Sequence, residues 1–473
     1  MIQQLKFTKQ LLRNKSLIIL LILCGIFLVK IFLLTKLNGF GWEADEYMHF
    51  LEAKTLFTNF PHNLNIGIGV WSKPGYIYLY GLVIMVFGIT NLFPVQILTI
   101  LLTLLTSYLV LKILEVLKCN FQIQILGLVL TNFSFLMLRG SLSIMTEPIF
   151  ALFLIAGIYF LLKKKFKLSS LMFGLLPLVR IEGLFFVVIF IVYLIYDLRL
   201  KKFINFKSYF LNLILLLLPT IIWDFFGFLM TGRIFYIIDS GYPLTVGKYG
   251  HGGYPYYLEG FFKLDPLIIT LFMISAVYIF KYFRNKKWIE FGIIFSFSLF
   301  FLLQVLFWKF GLFGTAGLMR YFITVIPLAI ISICLFFNEI LVGLKSRIES
   351  SLIIIMICIL QVIFSGLIFT RGGLIFNQQT RSQIEPGITE AGDWLRSYVK
   401  ADEKIYADVP EVIYFANRDL NNATIFGVDD AFNNKEKAVY IFKKSSERSE
   451  DFFKELKGSE VVNFDNNVYI VRP

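Results

Sequence analysis

The chain has 473 residues, of which 57% are hydrophobic, 17% aromatic and only 16% charged, against about 25% charged in an ordinary soluble protein. This composition excludes a soluble globular enzyme, and several apolar runs of about 20 residues, each enough to cross roughly 30 Å of hydrocarbon, make the chain a polytopic membrane protein. The formal net charge of +13 is not the footprint of a nucleic-acid partner, because the lysines and arginines fall in short clusters between apolar runs, as they do in cytoplasmic loops.

Residues 16–37 form the first span. Lys6, Lys9, Arg13 and Lys15 precede it, its apolar core is too long for a signal peptide, and no small-residue cleavage site follows. It reads as a retained anchor with a cytoplasmic N-terminus, which places Asp45 outside. The next apolar piece, residues 75–89, is short and interrupted by Gly81 and Gly88. If it crossed, the basic runs at 163–167 and 199–207 would lie outside, against the preference of Lys and Arg for cytoplasmic loops. It is therefore laid in the outer interface as a juxtamembrane helix, with Tyr76, Tyr78 and Tyr80 at headgroup depth.

Further spans follow at 94–114, 121–138, 149–162, 168–179, 184–198, 209–230, 266–283, 288–308, 321–337 and 352–369, about eleven in all. The outer loops are then 38–93, 139–148 and a long one, 231–264, rich in Gly, Tyr and Pro and too polar to cross. From residue 377 the composition becomes soluble. A helix at 388–398, strands at 404–407 and 438–442, a second amphipathic helix at 449–456 and a hairpin at 461–471 turning at Asp465-Asn-Asn467 are expected there. The fold class is an all-α polytopic membrane protein over residues 1–376 with a small C-terminal extracytoplasmic α/β domain over 377–473.

Cys24, Cys119, Cys334 and Cys358 are too widely separated for a disulfide framework or a zinc spacing. The informative residues are charges on the outward side: Asp45, Glu46, Lys73, Glu147, Arg180, Glu182, His251 and Arg320. Each has an ordinary explanation as well. The acidic pair keeps a helix end in water, Glu147 favours the start of a span, Lys73 and Arg320 anchor at the interface, and Arg180 and Glu182 neutralise each other. Taken together, ionisable groups at membrane depth are costly and mark function. Carboxylates beside cations, opening to lipid, suit a substrate with an anionic phosphate on an apolar tail, Arg binding the phosphate by a planar fork and Lys as a point charge. A carboxylate would act as general base on an acceptor hydroxyl. His49 follows Asp45 by one helical turn, a spacing that could form a metal face, but His49, His62 and His251 do not make a convincing ligand set; no cofactor is expected to be required, and a divalent metal is the weaker alternative.

The order of these features resembles the GT-C superfamily of polyprenyl-phosphate-sugar glycosyltransferases, in particular the protein O-mannosyltransferase and aminoarabinose transferase branch. The residues that carry the likeness are Asp45-Glu46, Lys73-Pro74 followed by a Tyr-rich helix ending Phe87-Gly88, Thr146-Glu147-Pro148, and Arg320-Tyr321 before Pro327. The resemblance implies a GT-C membrane fold, Asp45 as the catalytic carboxylate with Glu46 in support, Glu147 lining the acceptor cavity, and Lys73 and Arg320 on the donor phosphate; Arg180 is a further candidate for that phosphate by its charge and its side of the membrane. Glu182, His251 and Tyr321 are further candidates for substrate contact. It implies a polyprenyl-phosphate sugar as donor, first of all mannose, a glycan, lipid or protein acceptor, and inversion at the transferred carbon. Aminoarabinose transferases carry a metal-binding Glu before the Lys-Pro pair and a second Pro after it, whereas this chain has Ser72 and Gly75. A flippase of phosphorylated lipids and a polysaccharide polymerase or ligase are the alternatives; the paired repeats of a transporter are not visible.

Overall fold

A computed structural model of the protein describes residues 15–36, 44–58, 60–69, 73–200, 206–239, 250–313, 315–342, 347–375, 387–425, 428–443, 460–465 and 467–472. The chain divides into two compact units. The first comprises Met1–Leu34, Gln96–Leu142 and Thr146–Arg371, and the second Thr35–Val95, Ser143–Met145 and Gly372–Pro473.

The chain is an integral membrane protein. Lys15–Lys36, Leu92–Val116, Lys207–Thr231, Pro266–Arg284, Trp288–Phe310 and Glu349–Thr370 are helices long and apolar enough to cross a bilayer. Phe121–Phe133 and Phe135–Ser141 are apolar and long enough only as a pair, bent by 62°, the geometry of a broken span or of a re-entrant loop. The other four stretches read as spans are helices of 17, 14, 18 and 17 residues: Thr146–Leu162, Phe166–Val179, Gly183–Leu200 and Ile326–Val342. The last of these begins later than its apolar run, because Met319–Thr324 is a 3-10 turn, and Pro327, without an N–H to donate, suits the first turn of the helix that follows.

The bend in the first unit has a specific cause. Ser134 leaves the helical region at φ −54, ψ 129, which strands backbone groups on both sides of the break. Buried Asp265 accepts the Ser134 hydroxyl at 2.6 Å and the Leu136 N–H at 3.3 Å, so its charge sits at the start of the short helix. Gln361 donates to the other Asp265 oxygen at 2.9 Å and to the carbonyl of Phe133 at 2.7 Å. A second buried polar tie fixes the first span, where the Lys30 ammonium meets the Asn132 side-chain oxygen at 2.9 Å and the Thr103 hydroxyl at 3.3 Å. Gly174 lets two helices touch, since a Cβ there would lie 2.3 Å from the Leu216 carbonyl oxygen.

The second unit is built on a five-stranded sheet: β1 Ile405–Ala407, β2 Ala423–Ile425, β3 Val439–Lys443, β4 Glu460–Phe464 and β5 Val468–Arg472. Their order is β2-β1-β3-β5-β4, with β1 parallel to β2 and β3, and β5 antiparallel to β3 and β4. The β4–β5 hairpin turns where predicted, with Asp465 at φ 50. The helix Ile388–Tyr398 coincides with its prediction, whereas Pro410–Phe415, β2 and Val428–Asn433 were not read from the sequence. The expected helix at 449–456 lies outside the described residues. Composition sets residues 377–473 apart from the apolar part of the chain. It does not reveal that the helix Ala44–Thr58 shares its core. Leu51 is buried with Ile388, Leu395, Val412, Ile413 and Ile441, and Tyr414 meets Tyr47 at 4.9 Å and Phe50 at 5.5 Å. Ala44–Thr58 in turn packs on Pro74–Phe87, where a Cβ on Gly81 would lie 2.6 Å from the Ala53 carbonyl oxygen.

Replacing Asp265 with Ala leaves the Ser134 hydroxyl, the Leu136 N–H and one contact of Gln361 without an acceptor, a loss on the order of 2 kcal/mol or more. The detergent-solubilised Asp265→Ala protein should melt several degrees below wild type, with Asp265→Asn between the two. Equal melting temperatures would show that the carboxylate does not hold the bend.

Candidate functional site

The first unit gathers its charges around Glu147. The helix Thr146–Leu162 starts one residue before it, and Pro148 fits the first turn because its missing N–H has no partner there in any case. Glu147 is fully buried. At the end of Phe166–Val179 the chain becomes extended at Arg180, φ −152, ψ 144, and this aims the guanidinium at the carboxylate. One terminal nitrogen of Arg180 donates to Glu147 Oε1 at 2.7 Å and to the Thr146 hydroxyl at 2.9 Å, and the other donates to Glu182 Oε1 at 2.8 Å. The 3-10 turn brings Arg320 Nε to 3.5 Å from the same Glu147 oxygen and lays the Tyr321 ring under the Arg180 guanidinium at 5.0 Å. Burial lowers Arg320 to about 10, which leaves it charged at neutral pH. Two cations thus face two carboxylates, and a buried set of this kind persists only when each charge is answered.

Sequence reasoning missed Tyr257. It lies on a helix, Tyr256–Leu264, within the stretch read as an irregular loop, and its ring is fully buried 5.1 Å from that of Phe322. Burial, with Tyr321, Tyr256 and Glu182 nearby, holds its phenol well above the usual value. The spacing of Tyr257, Phe261 and Leu264 was the available signal. His251 is exposed, and among the described residues nothing joins it to the cluster.

The second unit holds the acidic pair in the first turn of Ala44–Thr58, where a helix N-terminus favours negative charge. Asp45 is half-buried. Glu46 is fully buried and accepts the Ile144 N–H at 2.9 Å, while the Tyr76 hydroxyl donates to the Ile144 carbonyl at 3.2 Å. The two side chains clamp the segment Ser143–Met145. Lys73 is buried at the extended residue before Pro74–Phe87, with Pro74 opening the helix. The sequence reading also passed over Glu52. The His49 ring lies tilted against that of Tyr76 at 4.7 Å and 4.0 Å from Glu52 Oε2, and on the helix Ala44–Thr58 the residues Asp45, His49 and Glu52 follow one another by single turns along one face. Among the described residues no three His, Cys, Asp or Glu side chains converge as a metal-ligand set, and no metal-dependent step is assigned to them.

No family model matches the sequence, and no curated protein matches it. Solved structures do match its fold. ArnT from Cupriavidus metallidurans bound to undecaprenyl phosphate has a TM-score of 0.64 at 10% identity, over 96% of this chain and 97% of that one. Its apo state gives 0.57 at 10%, over 84% and 87%. The Archaeoglobus fulgidus oligosaccharyltransferase in the apo form gives 0.50 at 12%, over 89% and 69%. At such identities the likeness is one of fold, and that fold is the GT-C membrane fold.

Burial first, and the charge of Asp45 second, push Glu52 up to about 8 from an ordinary 4.5. The folded protein therefore keeps a proton that the unfolded chain releases, and this stabilising contribution, complete at low pH, is lost as pH rises from the ordinary value through about 8. Melting temperature should fall more between about pH 5 and pH 8 in wild type than in Glu52→Gln. Parallel curves would mean that Glu52 ionises in the folded protein as it does in water.

Proposed function

We propose that this chain, with its GT-C fold, is an integral membrane glycosyltransferase. It moves one sugar from a polyprenyl-phosphate carrier to an acceptor on the extracytoplasmic face. The carrying observation is the buried group of Glu147, Arg180, Glu182, Arg320 and Tyr321, in a fold shared with a protein solved with undecaprenyl phosphate. Paired guanidinium groups in a membrane protein suit the phosphate of a lipid carrier, binding it by charge-assisted hydrogen bonds and offsetting the charge it gains on leaving. The basic loops between spans support a cytoplasmic N-terminus, with the C-terminal domain on the opposite side.

Asp45 acts as general base. As the acceptor hydroxyl oxygen attacks the anomeric carbon, its proton passes to the Asp45 carboxylate. The bond from that carbon to the phosphate oxygen breaks, and polyprenyl phosphate leaves with the electron pair. A single displacement inverts the anomeric centre. Arg180, Arg320 and Lys73 stabilise the departing phosphate, and Tyr321 and Glu182 hold Arg180 in position. Glu147 serves both to orient the arginines and to line the acceptor side. Glu46 supports Asp45 by fixing the segment that leads into Thr146. A hexose, mannose first, is the sugar that the motif order favours.

Purified Asp45→Asn should bind polyprenyl phosphate as wild type does and transfer sugar at least about a hundredfold more slowly, the loss that removal of a general base produces. Transfer near the wild-type rate would take Asp45 out of the base role.

A further inference from the structure

The Tyr256–Leu264 helix is pinned to the turn that carries Arg320 and Tyr321. Phe261 meets Phe322 at 4.8 Å and Tyr257 meets it at 5.1 Å. Gly260 allows the closest approach, since a Cβ there would stand 2.4 Å from the Met319 sulfur. This packing fixes the Tyr257 ring and leaves its polar end unused. The hydroxyl is buried, and among the described residues it has no hydrogen-bond partner. The same holds for Nε of Arg180.

The two unused donors share their surroundings. Tyr257 packs on Phe322, the residue that follows Tyr321 in the 3-10 turn, and Arg180 bonds Glu182 and stacks on Tyr321. Buried donors are costly to leave unmade, so two of them in one charged cluster call for an acceptor that arrives with the substrate. A guanidinium N–H can only donate, and a phenol O–H donates readily to an anionic oxygen. The acceptor these two donors fit is therefore rich in lone pairs and negative.

We propose that Tyr257, together with Arg180 Nε, donates a hydrogen bond to a phosphoryl oxygen of the polyprenyl-phosphate sugar, making it a donor-binding residue of the site. The inference rests on the function proposed above. It also assigns the Tyr256–Leu264 helix a task, which is to carry a phosphate-binding hydroxyl to the arginines.

The purified full-length protein is titrated with polyprenyl phosphate and, separately, with the corresponding polyprenol, which has the same tail and no phosphate. Tyr257→Phe should bind the lipid phosphate at least about tenfold more weakly, the scale of one hydrogen bond to a charged group, with polyprenol binding and melting temperature unchanged. Tyr256→Phe, on the neighbouring exposed tyrosine, should bind both lipids as wild type does. Undiminished phosphate binding by Tyr257→Phe would overturn the assignment, and so would equal weakening for both lipids, since the hydroxyl would then act through packing. A wild-type protein that does not distinguish phosphate from alcohol would refute the donor reading itself, and this inference with it.

Discussion

The Glu147 carboxylate is enclosed away from water, and the first unit sets two guanidinium groups against it. Arg180 reaches it at 2.7 Å from the linker after Phe166–Val179, and Arg320 at 3.5 Å from the 3-10 turn. An unpaired carboxylate in so apolar a setting would cost several kcal/mol, so the three segments are bound to one another by the need to neutralise it. Such a pair is a poor way to gain stability, because well-packed apolar side chains would serve as well or better. Its presence beside further polar groups is the cost that the proposed phosphate-binding site would carry in a membrane protein.

The apolar spans are legible because a bilayer imposes one requirement, about 20 residues of hydrocarbon-compatible helix, that composition alone expresses. Ile388–Tyr398 is legible for a related reason: Ile388, Ala391, Gly392 and Leu395 recur at helical spacing on its buried face. The break at Ser134 is not, because nothing local demands it. It depends on Asp265 and Gln361, far along the chain, whose side chains take up the groups that the break exposes. Nor does composition reveal that Ala44–Thr58 shares a core with the C-terminal sheet, since Leu51 reads like any apolar residue near a membrane surface.

In the candidate site, charge in an apolar chain was the usable signal, and the structure places Glu147, Arg180, Glu182, Arg320 and Tyr321 in contact with one another. That signal has no power over groups that look ordinary until buried. Tyr257 is one of many aromatics, and its hydroxyl stands out only once the packing of Phe261 and Gly260 fixes its helix. Glu52 looks like a solvated helical charge and becomes unusual only through enclosure beside His49 and Asp45. Conversely, His251 has the right chemistry and lies exposed instead.

The most direct test of the arrangement is a double-mutant cycle on its central ion pair, with melting temperatures measured for wild type, Glu147→Gln, Arg180→Gln and the double variant. If the first unit is held by mutual neutralisation, each single change strands its partner's charge, and the double variant should be clearly more stable than the sum of the two losses allows. Losses that simply add would contradict the account, because the two side chains would then be neighbours without being coupled.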